Sequence, residues 1–417
     1  MLRKSIGIVF VLILLLAASA AAQPVELTLL THYSTHQEDA LMEWVSLWNE
    51  NNPDIQVVHQ NVDFDQLLPT IMAQQTAGRG ADIVHAYALW GGQMTRSNVL
   101  ATPPAHLVAD IRGNFAATAV QAVTFDDVVY GYPTEVQTYA LFYNKAILGA
   151  AGYENPPETW EELEEIAAAT TVYDGNTLVT QGFGLMTGWD SAVVHPFLSL
   201  AYASGAQLLD ETNSEVLINS EAGVRALQFQ KDLVDAGLVD TSINVLGAFP
   251  SEQLAMTINA GWWNGSLRNG MAERYENVGV APIPSPDGER RGSVSYSWFF
   301  GVNNRSQNQE AAWQFLEWMN SYASENGATP MGNFMSGLGI IPARDSDLAA
   351  LADDLAHPNN QPFINALEYA VPEPAIFAGQ RIKTILQREI ESVWAGQVSP
   401  EAALARAEQQ IMRELSR

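Results

Sequence analysis

The stretch 25-VELTLLTHYSTHQEDALMEWVSLWNENNPDIQVVHQNV-62 decides the fold class. Its first part, Val25–Tyr33, is a run of β-branched and apolar residues, which predicts a strand buried on both faces. Thr35 and Glu38 have capping-box spacing, which predicts that a helix begins here. Asn52–Pro53 ends that helix, and a second apolar run follows it. The stretch therefore predicts a strand, a helix and a second strand.

The same alternation continues toward the C-terminus. Apolar residues at helical spacing predict a second helix that Gly78 ends, and the run Ala81–Trp90 predicts a third strand. Strands that alternate with helices in this way form a parallel sheet with helices on its faces. The predicted fold class is therefore α/β.

The second half of the chain follows the same rules. Thr159 and Glu162 form another capping box, residues 221–239 are amphipathic, and Ser399 with Pro400 predicts the start of a final helix. A chain of 417 residues is too long for one ordinary domain. No long disordered linker separates the predicted domains, so ordered strands must join them. The candidate crossings are YGYPTEVQTYALFYN (130–144) and SVSYSWFFGVNN (293–304).

Composition excludes several classes of function. The chain has 47 acidic and 20 basic side chains, and its formal net charge is −27. This balance argues against nucleic acid and anionic membrane surfaces as partners, because both require basic patches. There is no cysteine, which excludes thiolate metal sites and cysteine nucleophiles, and the seven histidines show no metal-ligand spacing. We expect neither a cofactor nor a bound metal.

The N-terminus has the pattern of a secretory signal peptide. Arg3 and Lys4 precede an apolar run over residues 6–16, and small residues then offer cleavage after Ala20 or Ala22. We exclude residues 1–22 from the fold and expect export to the periplasm. With no cysteine at the cleavage site, we expect no lipid anchor.

The segment INAGWWNGS (258–266) places two tryptophans between glycines. Indoles beside glycine are unfavourable in a helix and in a central strand. Core packing and ligand binding both remain possible uses of these two rings.

Eight segments in order carry a resemblance to a known family. They are residues 27–57, GRGADIVHAYALW (78–90), VVYGYPTEVQTYALFYNKAIL (128–148), AGYENPPETWEEL (151–163), AMTINAGWW (255–263), VGVAPIPSPDG (278–288), FFGVNNRSQNQEAAWQFLEWM (299–319) and GIIPARDS (339–346). The chain resembles the extracellular solute-binding proteins of ABC importers, family 1, the maltose-binding-protein-like group. The resemblance covers essentially all of the chain after the signal peptide.

The resemblance implies a two-lobed periplasmic-binding-protein fold of the class II type. Each lobe would be a mainly parallel sheet flanked by helices, and hinge strands would join the lobes. The N-lobe would span residues 23–133 with a return near 298–335, and the C-lobe would span 134–297, completed by 336–417. The implied partners are a small sugar in the cleft and a membrane permease, and the implied state is a monomer.

The resemblance also implies that sugars stack on aromatic rings, whose faces suit the apolar C–H face of a pyranose. Trp262 matches the stacking tryptophan of the family, and Trp263 is the second candidate. Asn264 lies beside them and can bond sugar hydroxyls. Ala378 stands where the maltose binder has another tryptophan, so we expect a saccharide other than maltodextrin.

Further candidate ligand-binding residues end the predicted strands or lie in the crossings and loops. They are His32, Ser34, Tyr87, Trp90, Glu135, Gln137, Trp189, Asp190, Tyr296, Trp298 and Asn333. Core packing is the alternative for Tyr87 and Trp90. For Glu135 the alternative is a salt bridge, because a carboxylate in such a strand is costly unless it is paired or used.

Arg344 is the last candidate, and its guanidinium suits a carboxylate or a phosphate. A structural ion pair is the favoured interpretation. If Arg344 faces the ligand instead, glycerol 3-phosphate or a glycerophosphodiester becomes the alternative ligand. A polyamine is a third possibility, indicated only by the acidic balance.

An enzyme is the alternative from a different class. A secreted carbohydrate-active enzyme needs two suitably spaced carboxylates, and the number of acidic residues in this chain does not discriminate between an enzyme and a binding protein. The sequence contains no G-x-S-x-G, no HExxH and no P-loop. We therefore predict a binding protein without catalytic residues.

Overall fold

The structure, a computed structural model, describes residues 24–417. The predicted signal peptide lies outside this range. Within it, no helix combines the length and the apolar character that crossing a bilayer would require.

Twelve strands and eighteen α-helices make up the described chain. The strands are β1 (Val25–Thr31), β2 (Ile55–Asn61), β3 (Ile83–Tyr87), β4 (Thr124–Phe125), β5 (Val128–Val129), β6 (Tyr132–Asn144), β7 (Val172–Asp174), β8 (Thr177–Gly184), β9 (Leu254–Ala260), β10 (Val278–Ala281), β11 (Val294–Val302) and β12 (Val371–Pro372). The helices are α1 (His36–Asn51), α2 (Phe64–Thr76), α3 (Gly91–Arg96), α4 (Ala105–Asn114), α5 (Ala117–Ala122), α6 (Lys145–Ala150), α7 (Trp160–Thr170), α8 (Asp190–Ala203), α9 (Glu221–Asp235), α10 (Val245–Ala248), α11 (Trp262–Met271), α12 (Gln309–Ser321), α13 (Pro330–Gly337), α14 (Asp345–Ala350), α15 (Ala352–Leu355), α16 (Gln361–Ala366), α17 (Gly379–Trp394) and α18 (Pro400–Leu415). Short 3₁₀ helices cover Ala88–Trp90 and Ala272–Asn277.

One sheet runs through the molecule in the order β2-β1-β3-β11-β6-β9-β8-β7. The predicted βαβαβ unit is present, since β1 pairs in parallel with both β2 and β3. The two long strands at the centre, β6 and β11, run antiparallel to each other, and β11 is also antiparallel to β3. On the other side, β9 is antiparallel to β6 and parallel to β8. Both predicted crossing segments are thus central strands of one mixed sheet.

The apolar residues form separate cores on either side of these central strands. The first core draws on residues 27–132 and 298–343. The second draws on residues 139–294 and 378–411, and a smaller third core, around Phe142 and Trp263, adjoins it. We call the part around the first core the first lobe and the remainder the second lobe. Leu338, Ile340 and Ala343 belong to the first core and lie beyond the return segment 298–335 that the sequence predicts.

The capping patterns differ in outcome. Thr159 and Glu162 form the predicted capping box at the start of α7, and Ser399 accepts a hydrogen bond from the Ala402 amide at the start of α18. The capping box predicted at Thr35 is wrong, because Thr35 has a φ of 52° and its side chain makes no cap hydrogen bond. The backbone there turns away from the extended conformation that an N-cap side chain needs.

The segment around the paired tryptophans is helical, although indoles beside glycine are unfavourable in a helix. Trp262 begins α11, and Gly265 within this helix allows close packing. A Cβ added to Gly265 would lie 1.9 Å from the carbonyl oxygen of Leu338, and the adjacent Gly339 has a φ of 74°. Tertiary packing therefore outweighs the poor helix propensity of this segment.

We expect Gly265→Ala to destabilise the protein by about 1–3 kcal/mol or more, because the new methyl group would meet backbone atoms that cannot move aside. Gly270→Ala is the matched control on the same helix, since no atom lies within 4 Å of its added Cβ. The control should be neutral or stabilising by up to about 1 kcal/mol. Urea unfolding measures both, and equal effects would contradict the proposed backbone contact.

Candidate functional site

A cavity of about 520 Å³ lies between the two lobes, on one face of the central strands. Its size falls within the range of small-molecule sites. Side chains from both lobes and from β6 and β11 line it. A second cavity of about 700 Å³ is lined by Val136, Ser295 and Ser297, which alternate with residues of the first cavity and so open on the opposite face.

The central strands supply the floor of the first cavity. Glu135, Gln137 and Tyr139 alternate along β6, and Tyr296 and Trp298 alternate along β11. The register places Trp298 opposite Glu135 and Tyr296 opposite Gln137. Because side chains at every second position share a face, the pairing brings these five side chains together.

Stacked rings form the wall that belongs to the first lobe. The Trp298 ring lies over the His32 ring at 4.4 Å between centroids, with 27° between their planes. It also lies over Tyr87 at 5.0 Å and 26°. Burial lowers the pKa of His32 to about 4, so its imidazole is neutral at physiological pH. The stacked rings of this wall are therefore uncharged.

Trp262 forms part of the opposite wall. It is half-buried and packs against the cores of both lobes. Its backbone N–H donates to Gln137 Oε1 at 3.1 Å, which anchors the first turn of α11 on the central strand β6. Trp189, which immediately precedes α8, lines the same side of the cavity.

Glu135 is a buried carboxylate with little compensation. It is 3% exposed, its hydrogen-bond donor is the Thr134 hydroxyl, and within residues 24–417 no basic side chain forms an ion pair with it. Burial raises its pKa to about 7 from the usual 4.5. A group in the cavity that donates hydrogen bonds would stabilise the charged form.

Several polar atoms of the lining residues lack hydrogen-bond partners. They are His32 Nδ1, Gln137 Nε2 and Asn259 Nδ2, each buried. Buried polar atoms are nearly always satisfied in folded proteins by protein, ligand or water. These atoms therefore indicate where a polar ligand or ordered water completes the site.

Eight of the predicted binding residues line this cavity. They are His32, Tyr87, Glu135, Gln137, Trp189, Trp262, Tyr296 and Trp298. The structure thus brings together candidates from strand ends, from both crossings and from the tryptophan pair.

Four other candidates lie behind the cavity wall, where each contacts other groups of the protein. Trp263 is 3% exposed and contacts Phe142 in the third core. Asn264 is buried and donates to Asn360. The indole N–H of Trp90 donates to Gln380 at 2.8 Å, and the same glutamine donates to Asp190 at 2.6 Å. The side chains of Trp90, Asp190, Trp263 and Asn264 therefore have protein partners where a ligand contact was predicted.

The remaining three candidates lie away from the cavity. Ser34 is exposed, and Asn333 exchanges hydrogen bonds with Asn326. Arg344 donates from both terminal nitrogens to Asp110 at 2.9 Å and lies over the Phe115 ring. The guanidinium therefore forms the structural ion pair that the sequence favoured, and does not reach the cavity.

Several lining residues were not predicted from the sequence. Tyr139 continues the alternation of Glu135 and Gln137, so period-two spacing along the predicted crossing was a usable signal. Asn259 is the last residue but one of β9, lies three positions before Trp262, and carried a similar signal. Phe64 and the exposed Asp63 and Asp65 lie at the start of α2, and no motif marked them.

The charges that line the cavity have one sign. Asp63, Asp65 and Glu135 contribute carboxylates, and no lysine or arginine is among the described lining residues. Within residues 24–417, no group of three or more histidine, aspartate or glutamate side chains has the geometry of a metal site. The site therefore offers hydrogen-bond acceptors, amides and aromatic faces.

Comparison with known proteins agrees with this architecture. Residues 34–325, well over half of the chain, match the family model for bacterial extracellular solute-binding proteins. A binding protein of Brucella abortus (strain 2308) is 25% identical over 406 residues, covering 94% of this chain and 93% of that protein. The arabinooligosaccharide-binding protein of Bacillus subtilis (strain 168) is 24% identical over 343 residues, covering 78% and 75%.

The chain is also similar to a solved receptor. The GacH receptor of Streptomyces glaucescens GLA.O, solved without ligand and with acarbose, superposes with a TM-score of 0.84 at 25% identity. The match covers 94% of this chain and 99% of the receptor. The chain therefore has the two-lobed fold that the sequence predicts.

We expect Glu135→Gln to remove the decrease in folding stability that the wild type undergoes as the pH rises. The pKa of Glu135 is about 7 in the folded protein and about 4.5 ordinarily, so the folded state holds the proton more tightly. This contribution to stability is fully present below about pH 4.5 and is lost as the pH rises through about 7. At pH 8 the free energy of unfolding of the wild type should be up to about 3 kcal/mol lower than at low pH, whereas the variant should not show this decrease.

Urea unfolding at pH 5 and pH 8 measures this difference. Glu310→Gln is the control, because Glu310 is exposed on α12, and it should keep the wild-type dependence on pH. An identical pH dependence in Glu135→Gln and wild type would show that the carboxylate is not the source of the effect.

Proposed function

The chain belongs to the family of bacterial extracellular solute-binding proteins, and we propose that it binds a carbohydrate in the cavity between its lobes and delivers it to the permease of an ABC importer. The ligand ranges from a monosaccharide to an oligosaccharide. The protein acts in the periplasm as a monomer, after export by its signal peptide and without a lipid anchor. It carries no catalytic residue.

The observation that carries this proposal is the combination of aromatic faces and unsatisfied amides. Tyr87 and Trp298 present rings from the first-lobe side, and Trp262 and Trp189 present rings from the second. A pyranose has apolar C–H faces that pack on such rings and equatorial hydroxyls that need hydrogen-bond partners. The side chain of Gln137, among others, supplies such partners at the ring edge.

The relatives support the same ligand class. The curated relatives include oligosaccharide binders, and the receptor at 25% identity was solved with acarbose. An anionic ligand fits less well, because phosphate binding requires arginine or lysine in the site. Arg344 is paired with Asp110, and the lining carboxylates would repel an anion.

The binding mechanism follows from the position of the site. Because the cavity walls belong to different lobes, a ligand that contacts both walls binds the closed arrangement better than an open one. The strands β6 and β11 connect the lobes and form the cavity floor, so they act as hinges. We place the lobe boundaries near residues 133 and 298, where these strands leave the first core. The closed complex then docks on the permease.

We expect Trp262→Ala to weaken saccharide binding by about 1–3 kcal/mol, because it removes an aromatic face from the ligand. The assay is a thermal-shift panel of mono- and oligosaccharides, glycerol 3-phosphate and spermidine, followed by calorimetry on each hit.

Trp263→Phe is the matched control at the next position. It alters the third core, so it should lower the unfolding free energy while leaving the dissociation constant unchanged. An unaltered affinity in folded Trp262→Ala would remove that ring from the site. Turnover of a glycoside by the pure protein, or binding of glycerol 3-phosphate alone, would overturn the proposed function.

A further inference from the structure

A cluster of buried polar side chains lies directly behind the cavity. Lys383 on α17 and Glu373, which follows β12, form an ion pair at 2.8 Å, and their side chains are only 3% and 7% exposed. His195 on α8 lies with Nε2 at 2.6 Å from the same carboxylate. None of these three side chains lines the first cavity, so the proposed binding mode does not use them.

The cluster links residues of different lobes. Tyr87, which belongs to the first core, donates its hydroxyl proton to Glu373 and accepts a hydrogen bond from Lys383 Nζ at 2.9 Å. On the other side, the hydroxyl of Tyr139 lies 2.8 Å from His195 Nδ1. Tyr87 and Tyr139 both line the cavity. The cluster thus holds one cavity tyrosine from each lobe.

A second connection runs beside the first. Trp90 of the first lobe donates to Gln380 on α17, and Gln380 in turn donates to Asp190 at the start of α8. Asp190 Oδ1 lies 3.8 Å from Lys383 Nζ. Residues of the first lobe therefore meet α17 in two neighbouring places.

The protonation states are consistent with these contacts. Burial alone would raise the pKa of Glu373, but the positive charge of Lys383 and the adjacent His195 hold it below its usual value. Burial lowers the pKa of His195 below its usual value, so the ring is neutral. A neutral ring that donates a hydrogen bond from Nε2 to Glu373 can accept a hydrogen bond from the Tyr139 hydroxyl at Nδ1.

We propose that Glu373 and Lys383 are positioning residues that hold the two lobes in the arrangement seen in the structure and thereby keep Tyr87 and Tyr139 in their places in the cavity. Rotation of the first lobe away from α17 separates Tyr87 and Trp90 from their partners. Removing one partner of a buried ion pair leaves an uncompensated charge, which favours the arrangement that admits water. The pair therefore biases the protein toward this arrangement before any ligand binds. The consequence for affinity rests on the proposed carbohydrate function, whereas the bias itself does not.

The experiment measures the distance between the lobes without ligand. The chain has no cysteine, so two introduced cysteines carry the only labels. Ser46→Cys on α1 and Gln409→Cys on α18 are exposed positions in different lobes. Double electron–electron resonance then gives the distance distribution in wild type, Glu373→Gln, Lys383→Met and the double variant.

We expect each single variant to shift the distribution away from that of wild type. The double variant should shift it by less than the sum of the single shifts, because no unpaired charge then remains. Where wild type binds the probes maltotriose or acarbose, a tenfold loss of the population with the wild-type lobe arrangement should raise the apparent dissociation constant about tenfold.

Glu389→Gln is the matched control on the same helix. Glu389 is buried and accepts a hydrogen bond from Arg406 Nε at 2.9 Å, but both residues belong to the second lobe. This variant should lower the melting temperature without changing the distance distribution. Comparison with this variant distinguishes the effect of losing a buried ion pair within one lobe from the effect of losing a contact between the lobes.

Distance distributions that match wild type in folded Glu373→Gln and Lys383→Met would overturn the proposal. Additive shifts in the double variant would do the same, because the residues would not act as a pair. If neither probe binds wild type, the proposed ligand class is tested by the wider panel, and the distance measurement still decides this proposal.

Discussion

The antiparallel pairing of β6 with β11 is the constraint on which the rest of the structure depends. Both strands continue out of one lobe into the other, so the two cores are joined through the backbone hydrogen bonds of a single sheet. The pairing also sets the register that places Trp298 opposite Glu135 and Tyr296 opposite Gln137. A shift by one residue would send these side chains to the opposite face, where the second cavity lies. The hinge and the cavity floor are therefore one structural feature.

Two kinds of buried polar group meet near this sheet, and they differ in how they are satisfied. The Glu373 carboxylate receives hydrogen bonds from Tyr87, His195 and Lys383, so its charge is compensated inside the protein. Glu135 has the Thr134 hydroxyl as its donor, and Gln137 keeps a buried amide nitrogen without a partner. A satisfied cluster fixes geometry, whereas unsatisfied groups that line a cavity are what a polar ligand can use. The compensated Glu373 cluster therefore fixes the geometry of the cavity, whereas Glu135 and Gln137 offer polar groups to a ligand.

Much of this architecture could be predicted from the chain because its physical causes are local. The period of apolar residues predicted the strand–helix alternation, and the capping box at Thr159 formed as expected. Glu135 and Gln137 were predicted because they are polar residues inside a crossing strand, and they line the cavity. The capping box at Thr35 failed because its backbone adopts a φ of 52°, a consequence of how β1 joins α1 that no residue spacing encodes.

By itself the sequence determined the α/β class, the two crossing strands and part of the set of aromatic residues from which the cavity is built, because alternation and composition are properties of neighbouring residues. Only the tertiary structure decided which tryptophan of the pair faces the cavity and which one enters the core. Adjacent residues of a helix point about 100° apart, so once α11 packs at Gly265, Trp262 faces the cavity and Trp263 enters the core. Only the fold, likewise, joins Tyr87 to Glu373 across 286 residues of chain. Contacts at that separation depend on how the lobes pack, and local patterns carry no signal of them.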